Sequence, residues 1–498
     1  MLLIFAGSLN ERQLVKEIDR LALQYSISDA HLGLHVYAPM RDKILYSVQA
    51  NKNYRPASNM KIITTLLAFE HLGPNYSFHT SFWHSGELVD GVLHGDLIVV
   101  GHGDPSIAGY YLGKGLETHD LVAHLIDRIK AFGIKTITGD VVAMEGFFDD
   151  KMVANSWEWD DIGTYYGTPV TALSLNDGWV DIAIHVDGFG FLSTSFSPTG
   201  TPDFQLATVF QPPDNPEDSN SDFKVTRDWN SNAFSFMGPM KPCSRHSDSY
   251  SVANPAAQFV GVLRDHLLCA DVMVDGSARV THAEPGDADT FLFNFFSPKL
   301  ADLAKVLMKR SQNHYADCFL KTVAKRMTNH GTFQNGFQLS QALIDQAFQS
   351  GPLSGSSSGF NMIDGSGLSS HNYVQPIQLV ALLEYAMGQP YWNEWVSSFP
   401  VMGVDGTTRR RGSQDGLTQG RIFAKTGYIY RTRCLSGYAF SESSEPILFS
   451  IMVNNYGAET SHINDFQDEV CSRLVQLKPN RVVKRALVKD PVTIPAVP

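Results

Sequence analysis

Pro56-Ala57-Ser58-Asn59-Met60-Lys61-Ile62-Ile63-Thr64-Thr65-Leu66-Leu67-Ala68-Phe69-Glu70-His71-Leu72-Gly73-Pro74 is the stretch from which the rest of the chain is read. Its apolar spacing predicts a helix over 59–72, and Gly73-Pro74 stops it. Ser58 stands at the N-terminal edge, where free backbone N–H groups favour developing negative charge. Lys61 follows one turn later on the same face. A serine hydroxyl is a weak nucleophile without a base, and a lysine whose pKa is lowered by burial or neighbouring cations can be that base. Taken alone, Ser-x-x-Lys is a common chance pair, and helix capping is the commoner role for such a serine.

On either side of this helix the pattern is of two kinds. Before it, residues 12–25 have helical spacing and 31–46 alternate as paired strands turning near Pro39. After it, residues 77–283 are short strand-like runs between Gly, Pro, Asp and Asn, with one helical segment at 121–132 and a polar, disorder-prone loop at 212–222. Helical spacing returns at 300–310, 314–328, 339–349 and 376–387, then strand patterns at 419–426, 434–440 and 447–454, then a helix at 461–477 and a polar tail. The expectation is one α/β catalytic unit (α+β type), 1–76 with 284–480, interrupted by an insertion. The insertion divides into 77–172 with 261–283 and a nested unit at 173–260, and 481–498 is tail.

Two further constellations lie in the catalytic unit. Ser311-Gln312-Asn313 falls between two helical patterns, where a hydroxyl and an amide two residues apart can face one cleft. Lys425-Thr426-Gly427 closes a strand pattern and is followed by Tyr428; a cation, a hydroxyl and a glycine suit an anion that approaches the backbone closely. Separately these are ordinary helix-boundary and edge-strand residues. In the order Ser-x-x-Lys, Ser-x-Asn, Lys-Thr-Gly, on helix start, inter-helix loop and strand, they form the signature set of penicillin-binding proteins and serine β-lactamases.

The surroundings narrow the match. Gly95-Asp96-Leu97, Gly101-His102-Gly103-Asp104-Pro105, Ala172-Leu173-Ser174-Leu175-Asn176-Asp177, Asp364-Gly365-Ser366-Gly367-Leu368-Ser369 with His371-Asn372, and Gly403-Val404-Asp405-Gly406-Thr407 accompany the three motifs. With them the chain resembles the low-molecular-mass class C penicillin-binding proteins, the D-alanyl-D-alanine carboxypeptidase/endopeptidase family, from about residue 29 to 477. The resemblance implies a transpeptidase or serine β-lactamase-like domain, helices on an antiparallel sheet, with a β-rich insertion in two parts. It implies Ser58 as nucleophile, Lys61 as its base, Ser311 and Lys425 as the path of a proton to the leaving amine, and Asn313 as an orienting group. Thr426 and Lys425 would hold the terminal carboxylate beside Gly427, and the backbone N–H groups of Ser58 and Tyr428 would form the oxyanion hole. It implies no metal or organic cofactor, peptidoglycan peptides ending in D-Ala-D-Ala as substrate, β-lactams as inhibitors, and a periplasmic location. Two departures stand out: Gln312 occupies a position where aspartate is familiar, and Tyr428-Ile429-Tyr430-Arg431 is bulky for the mouth of the cleft.

Composition sets outer limits. The 498 residues suffice for several domains, and the formal net charge of −12 argues against nucleic-acid binding. No stretch is apolar and long enough to span a bilayer. The start at 1–8 is apolar without the basic residues of a secretory signal. The five cysteines form no Cys-x-x-Cys pair; Cys243 with Cys269 is the one disulfide worth expecting, free buried thiols being the plainer reading of the rest. Histidine spacing gives no zinc-peptidase motif. Arg409-Arg410-Arg411 fits a solvated loop better than a ligand site, and Trp157, Trp159, Tyr165 and Tyr166 fit packing better than a ligand platform. A β-lactamase is the rival within the same chemistry, and a non-catalytic wall-binding protein is the rival outside it. Oligomeric state stays open from sequence, a dimer being one option.

Overall fold

The computed structural model describes residues 9–109, 116–211, 224–413 and 416–479. The apolar start, the polar loop at 212–222 and the tail from 481 lie outside them.

Five antiparallel strands form the central sheet, in the order Ile422–Ile429, Thr432–Phe440, Pro446–Asn454, His31–Ala38, Lys43–Val48. Pro446–Asn454 is buried at every position, because its alternating side chains feed two cores. Ile447, Phe449, Ile451 and Val453 meet the helices Glu11–Gln24 and Thr460–Val475 through Leu14, Ile18, Phe466 and Val470. Leu448 and Met452 face the other way, toward helices Pro376–Met387 and Met60–Leu72. Met60–Leu72 is buried all round from Met60 to Phe69, so this helix is a central post of the domain. Its second residue is Lys61.

The chain leaves this domain along Ser77–His84 and returns along Thr290–Lys299, and these two strands pair antiparallel. They belong to a five-stranded sheet completed by Leu97–Gly101, Val141–Met144 and Ala278–Thr281, on which helices Thr118–Lys130 and Pro255–Cys269 pack. Two three-stranded sheets follow around Val180, Ile182, Ile184, Phe234 and Phe236: Leu192–Ser197, Trp179–Val186, Ser244–Ser251, and Gln205–Gln211, Ala233–Pro239, Lys224–Arg227.

Two features bear on the boundaries expected at 260 and 283. Residue 260 falls inside helix Pro255–Cys269, whose apolar side belongs to the outer part of the insertion, and the outer sheet continues beyond 283 through Thr290–Lys299. The run Phe291-Leu292-Phe293-Asn294-Phe295-Phe296 hides that strand, because its apolar residues do not alternate. The Cys243–Cys269 disulfide is not formed. Both are exposed free thiols, one at the turn before Ser244–Ser251 and the other ending Pro255–Cys269, while Cys318, Cys434 and Cys471 are buried free thiols.

Candidate active site

Ser58 lies in a short 3-10 turn, Ala57–Asn59, that runs into helix Met60–Leu72. It caps nothing with its side chain. Ala57 is held at a φ of 46°, a region costly for a residue with a Cβ. The strain is kept by packing: a Cβ on Gly367 would lie 1.9 Å from the Ala57 carbonyl oxygen. On the other side the turn is stitched to strand Ile422–Ile429. Asn59 Nδ2 donates to the Lys425 carbonyl at 2.9 Å, and a Cβ on Gly427 would come within 2.5 Å of the Pro56 carbonyl oxygen. Gly427 therefore lets the strand run directly beside the serine.

Lys61 is fully buried. Its Nζ donates to Ser58 Oγ at 2.8 Å, to Asn313 Oδ1 at 2.6 Å and to the Ser366 carbonyl at 2.6 Å. Desolvation pushes its pKa down to about 7, against the pull of Asp317 and Asp364 behind it. Those carboxylates build the loop that faces Lys61. Asp317 Oδ1 accepts from the backbone N–H groups of Gly365 and Ser366, and Asp364 accepts from those of Gly367 and Ser369. Burial and the neighbouring Asp364 raise the Asp317 pKa well above the usual carboxylate range.

The other two motifs converge on the same place. Ser311 ends helix Leu300–Arg310 in left-handed geometry, φ 62°, and its Oγ accepts from Lys425 Nζ at 2.9 Å. Asn313 opens helix Asn313–Thr328. Lys425 is fully buried; desolvation first, and the Lys61 cation second, hold its pKa well below the ordinary lysine value. Gln312 turns away from the cleft and donates to Asp177 Oδ2 at 2.7 Å, so the familiar aspartate is replaced at a seam between domains.

That seam continues behind the site. Trp157 Nε1 donates to Asp364 at 2.8 Å, Asn313 Nδ2 donates to the Tyr166 carbonyl at 2.9 Å, and the buried Lys321 pairs with Asp149 at 2.6 Å. The insertion thus braces the loop, the amide and the helix that surround Lys61.

A cleft of about 780 Å³ opens over these groups. Ser58, Ser311, Asn313 and Thr426 lie along it, and Thr407 Oγ1 shares a hydrogen bond of 2.7 Å with Thr426 Oγ1. Tyr428 and Tyr430 line its rim, exposed. Glu158 and Asp161 of the insertion make one wall acidic, and burial raises the Asp161 carboxyl to about 6. Arg411 also lines the cleft, but its guanidinium is committed to Asp468 at 2.7 Å; Arg409 and Arg410 are exposed. Cys434 is buried with its Sγ 3.5 Å from the Arg55 carbonyl, a packing residue. Among the described residues no three His, Cys, Asp or Glu side chains gather as a metal site. Sequence reasoning missed Asp317, although it lies one helical turn after Asn313 and so shares its face.

The chain matches the model of the D-Ala-D-Ala carboxypeptidase 3 (S13) family over residues 14–476. It belongs to that family. The S13 chain is therefore a serine peptidase, as the three motifs imply. It is 26% identical over 509 residues to the D-alanyl-D-alanine carboxypeptidase of Actinomadura sp. (strain R39), covering 96% of this chain and 88% of that protein. Against the D-alanyl-D-alanine carboxypeptidase DacB of Haemophilus influenzae it is 26% identical over 404 residues, 80% of each. Its fold is that of penicillin binding protein 4 (dacB) from Haemophilus influenzae, with a TM-score of 0.79 at 22% identity over 92% of this chain and 99% of that one. A second structure of that protein, complexed with a β-lactam, gives a TM-score of 0.73.

Proposed function

We propose that this S13 peptidase hydrolyses the D-Ala-D-Ala bond of peptidoglycan stem peptides through an acyl-enzyme on Ser58. The observation that carries the reading is the contact between Ser58 Oγ and the fully buried amine of Lys61, 2.8 Å, with that amine lowered to about 7. Neutral Lys61 takes the serine proton as Oγ attacks the penultimate carbonyl. The carbonyl oxygen turns toward the backbone N–H groups of Ser58 and Tyr428, a reading supported by the close approach of Gly427 to the turn that carries Ser58. Asn313 orients the peptide, and Thr426 with Lys425 holds the terminal carboxylate. The proton taken by Lys61 passes to the leaving amine through Ser311 and Lys425, which are in contact at 2.9 Å. Water then hydrolyses the ester.

A peptidoglycan substrate places the enzyme in the periplasm. Intact-mass spectrometry after mixing with benzylpenicillin, alongside Ser58→Ala, tests the reading. A single slowly lost adduct on the unaltered protein alone is the expected result. Absence of any adduct overturns it, and rapid turnover without an adduct makes the protein a β-lactamase.

A further inference from the structure

Two tryptophans that the site does not use stand stacked on the surface beside the cleft. Trp159 follows Glu158 in the acidic wall, and Trp229 lies in the turn between Lys224–Arg227 and Ala233–Pro239 of the nested sheets. Their ring centroids are 4.6 Å apart with planes inclined by 15°. Trp159 is 72% exposed and Trp229 46% exposed. Contiguous apolar surface left in water marks recognition sites, whereas single exposed apolar residues are ordinary, and here the two rings form one patch.

Both rings are presented by loops that the fold holds rigidly. Arg227 Nη1 donates to the carbonyls of Asp228, Trp229 and Ser231, so one largely buried guanidinium sets the Trp229 turn. A Cβ on Gly163 would sit 3.2 Å from Arg227 Cβ, and Gly163 has a φ of 101°. The Gly163 carbonyl accepts from the N–H of Ser251, at the end of strand Ser244–Ser251. The Trp159 side is closed by Ile162 N–H donating to the Trp159 carbonyl at 3.3 Å. The same loop continues through Asp161, Tyr165 and Tyr166 into the cleft. An exposed indole pair on clamped backbone loses little entropy when a ligand lies on it.

We propose that Trp159 and Trp229 form a glycan-binding platform, on which the sugar strand bearing the stem peptide stacks while its peptide enters the cleft. The assignment rests on the peptidase reading above, because the tethered glycan is what that substrate brings to the rim. The chemistry of the plate favours sugar over other polymers. A pyranose ring offers a C–H face to an aromatic face and keeps its hydroxyls in water, which suits the outward faces of the pair, the inner faces being stacked on each other. Asp160 and Asp228 flank the two indoles in sequence, and with a net charge of −12 they disfavour a polyanion. Tyr428 and Tyr430 add exposed aromatic rings to the lining of the cleft.

The test compares the unaltered protein with Trp229→Ala and Trp229→Phe. Three quantities are measured: acylation by fluorescent penicillin, D-alanine release from a soluble pentapeptide, and D-alanine release from intact peptidoglycan sacculi. Acylation and soluble-peptide turnover are expected to stay within twofold, while release from sacculi falls at least fivefold for the alanine variant and less for phenylalanine. Peptide-free glycan strands are expected to change the tryptophan fluorescence of the unaltered protein and to change that of Trp229→Ala less. Equal loss on soluble peptide and sacculi, no loss on either, or no fluorescence response to glycan overturns the platform. Failure of the unaltered protein to be acylated overturns the peptidase reading instead, and the glycan titration still decides the platform. Normal penicillin acylation of a variant shows that it is folded.

Discussion

At the scale of single residues, Lys61 is held between opposing influences, and the balance sets a pH dependence. Burial removes its charge, whereas Asp317 and Asp364 favour it. The base must be neutral to act, so acylation by penicillin is expected to rise with pH through about 7 and level off above it. Stopped-flow acylation rates across pH 5–9 check this. Asp317→Asn removes a carboxyl whose ionised form raises the lysine pKa, so the rising limb is expected to move to lower pH; an unmoved limb rejects the coupling. Asparagine keeps the Oδ1 acceptor for Gly365 and Ser366, so the loop is retained. Lys61→Met is expected to slow acylation by about 100- to 10,000-fold, the usual worth of a positioned base. The eight positions named from the motifs were read from residue type and order, which the chemistry proposed for them requires. Asp317 and the Ser366 carbonyl were not, since a carboxylate and a main-chain oxygen acquire their role only when the helix Asn313–Thr328 and the loop after it fold against Met60–Leu72.

At the scale of elements, the site is a meeting of one helix start, one helix junction, one strand and one loop. The loop is tested most directly at Gly367. Its φ of 83° and the 1.9 Å approach to the Ala57 carbonyl leave no room for a methyl group, so Gly367→Ala must displace the nucleophile turn. A loss of about 2–4 kcal/mol in unfolding free energy, with penicillin acylation reduced at least tenfold, is expected from denaturant titration and labelling. Elements with clean periodicity were readable from sequence: 300–310 and 376–387 coincide with helices Leu300–Arg310 and Pro376–Met387. Trp392–Ser398 was missed because seven residues are too short to show a helical period, and Thr290–Lys299 because its aromatic residues cover both faces.

At the scale of the molecule, the seam between insertion and catalytic domain holds charges that a single domain would leave in water. Glu145 is 4% exposed and accepts from the Leu173 N–H at 3.0 Å, and burial raises its carboxyl to about 7. The folded protein therefore holds a proton there between about pH 4.5 and 7 that the unfolded chain has released, so this group's contribution to stability falls as pH rises through that window. Glu145→Gln abolishes the titration. Its melting temperature is expected to exceed that of the unaltered protein by an amount that grows from pH 4.5 to 7 and then stays constant, equivalent to about 1–3 kcal/mol. Lys321→Met removes the buried partner of the partly exposed Asp149 and is expected to cost about 1–2 kcal/mol by denaturant titration. That a catalytic unit is interrupted by a two-part insertion was visible in the change of pattern after residue 76; the seam was not, because its partners lie far apart in sequence. The order of strands in the central sheet has one more consequence, for synthesis. Strand His31–Ala38 pairs with Pro446–Asn454, and Asn59 holds a carbonyl 366 residues further on. At roughly 5–20 residues per second the ribosome delivers Lys425 some 20–70 seconds after Ser58. Throughout that interval Ser58 lacks the strand its turn packs beside, so the catalytic arrangement proposed for it can assemble only after Lys425 has been made, late in translation.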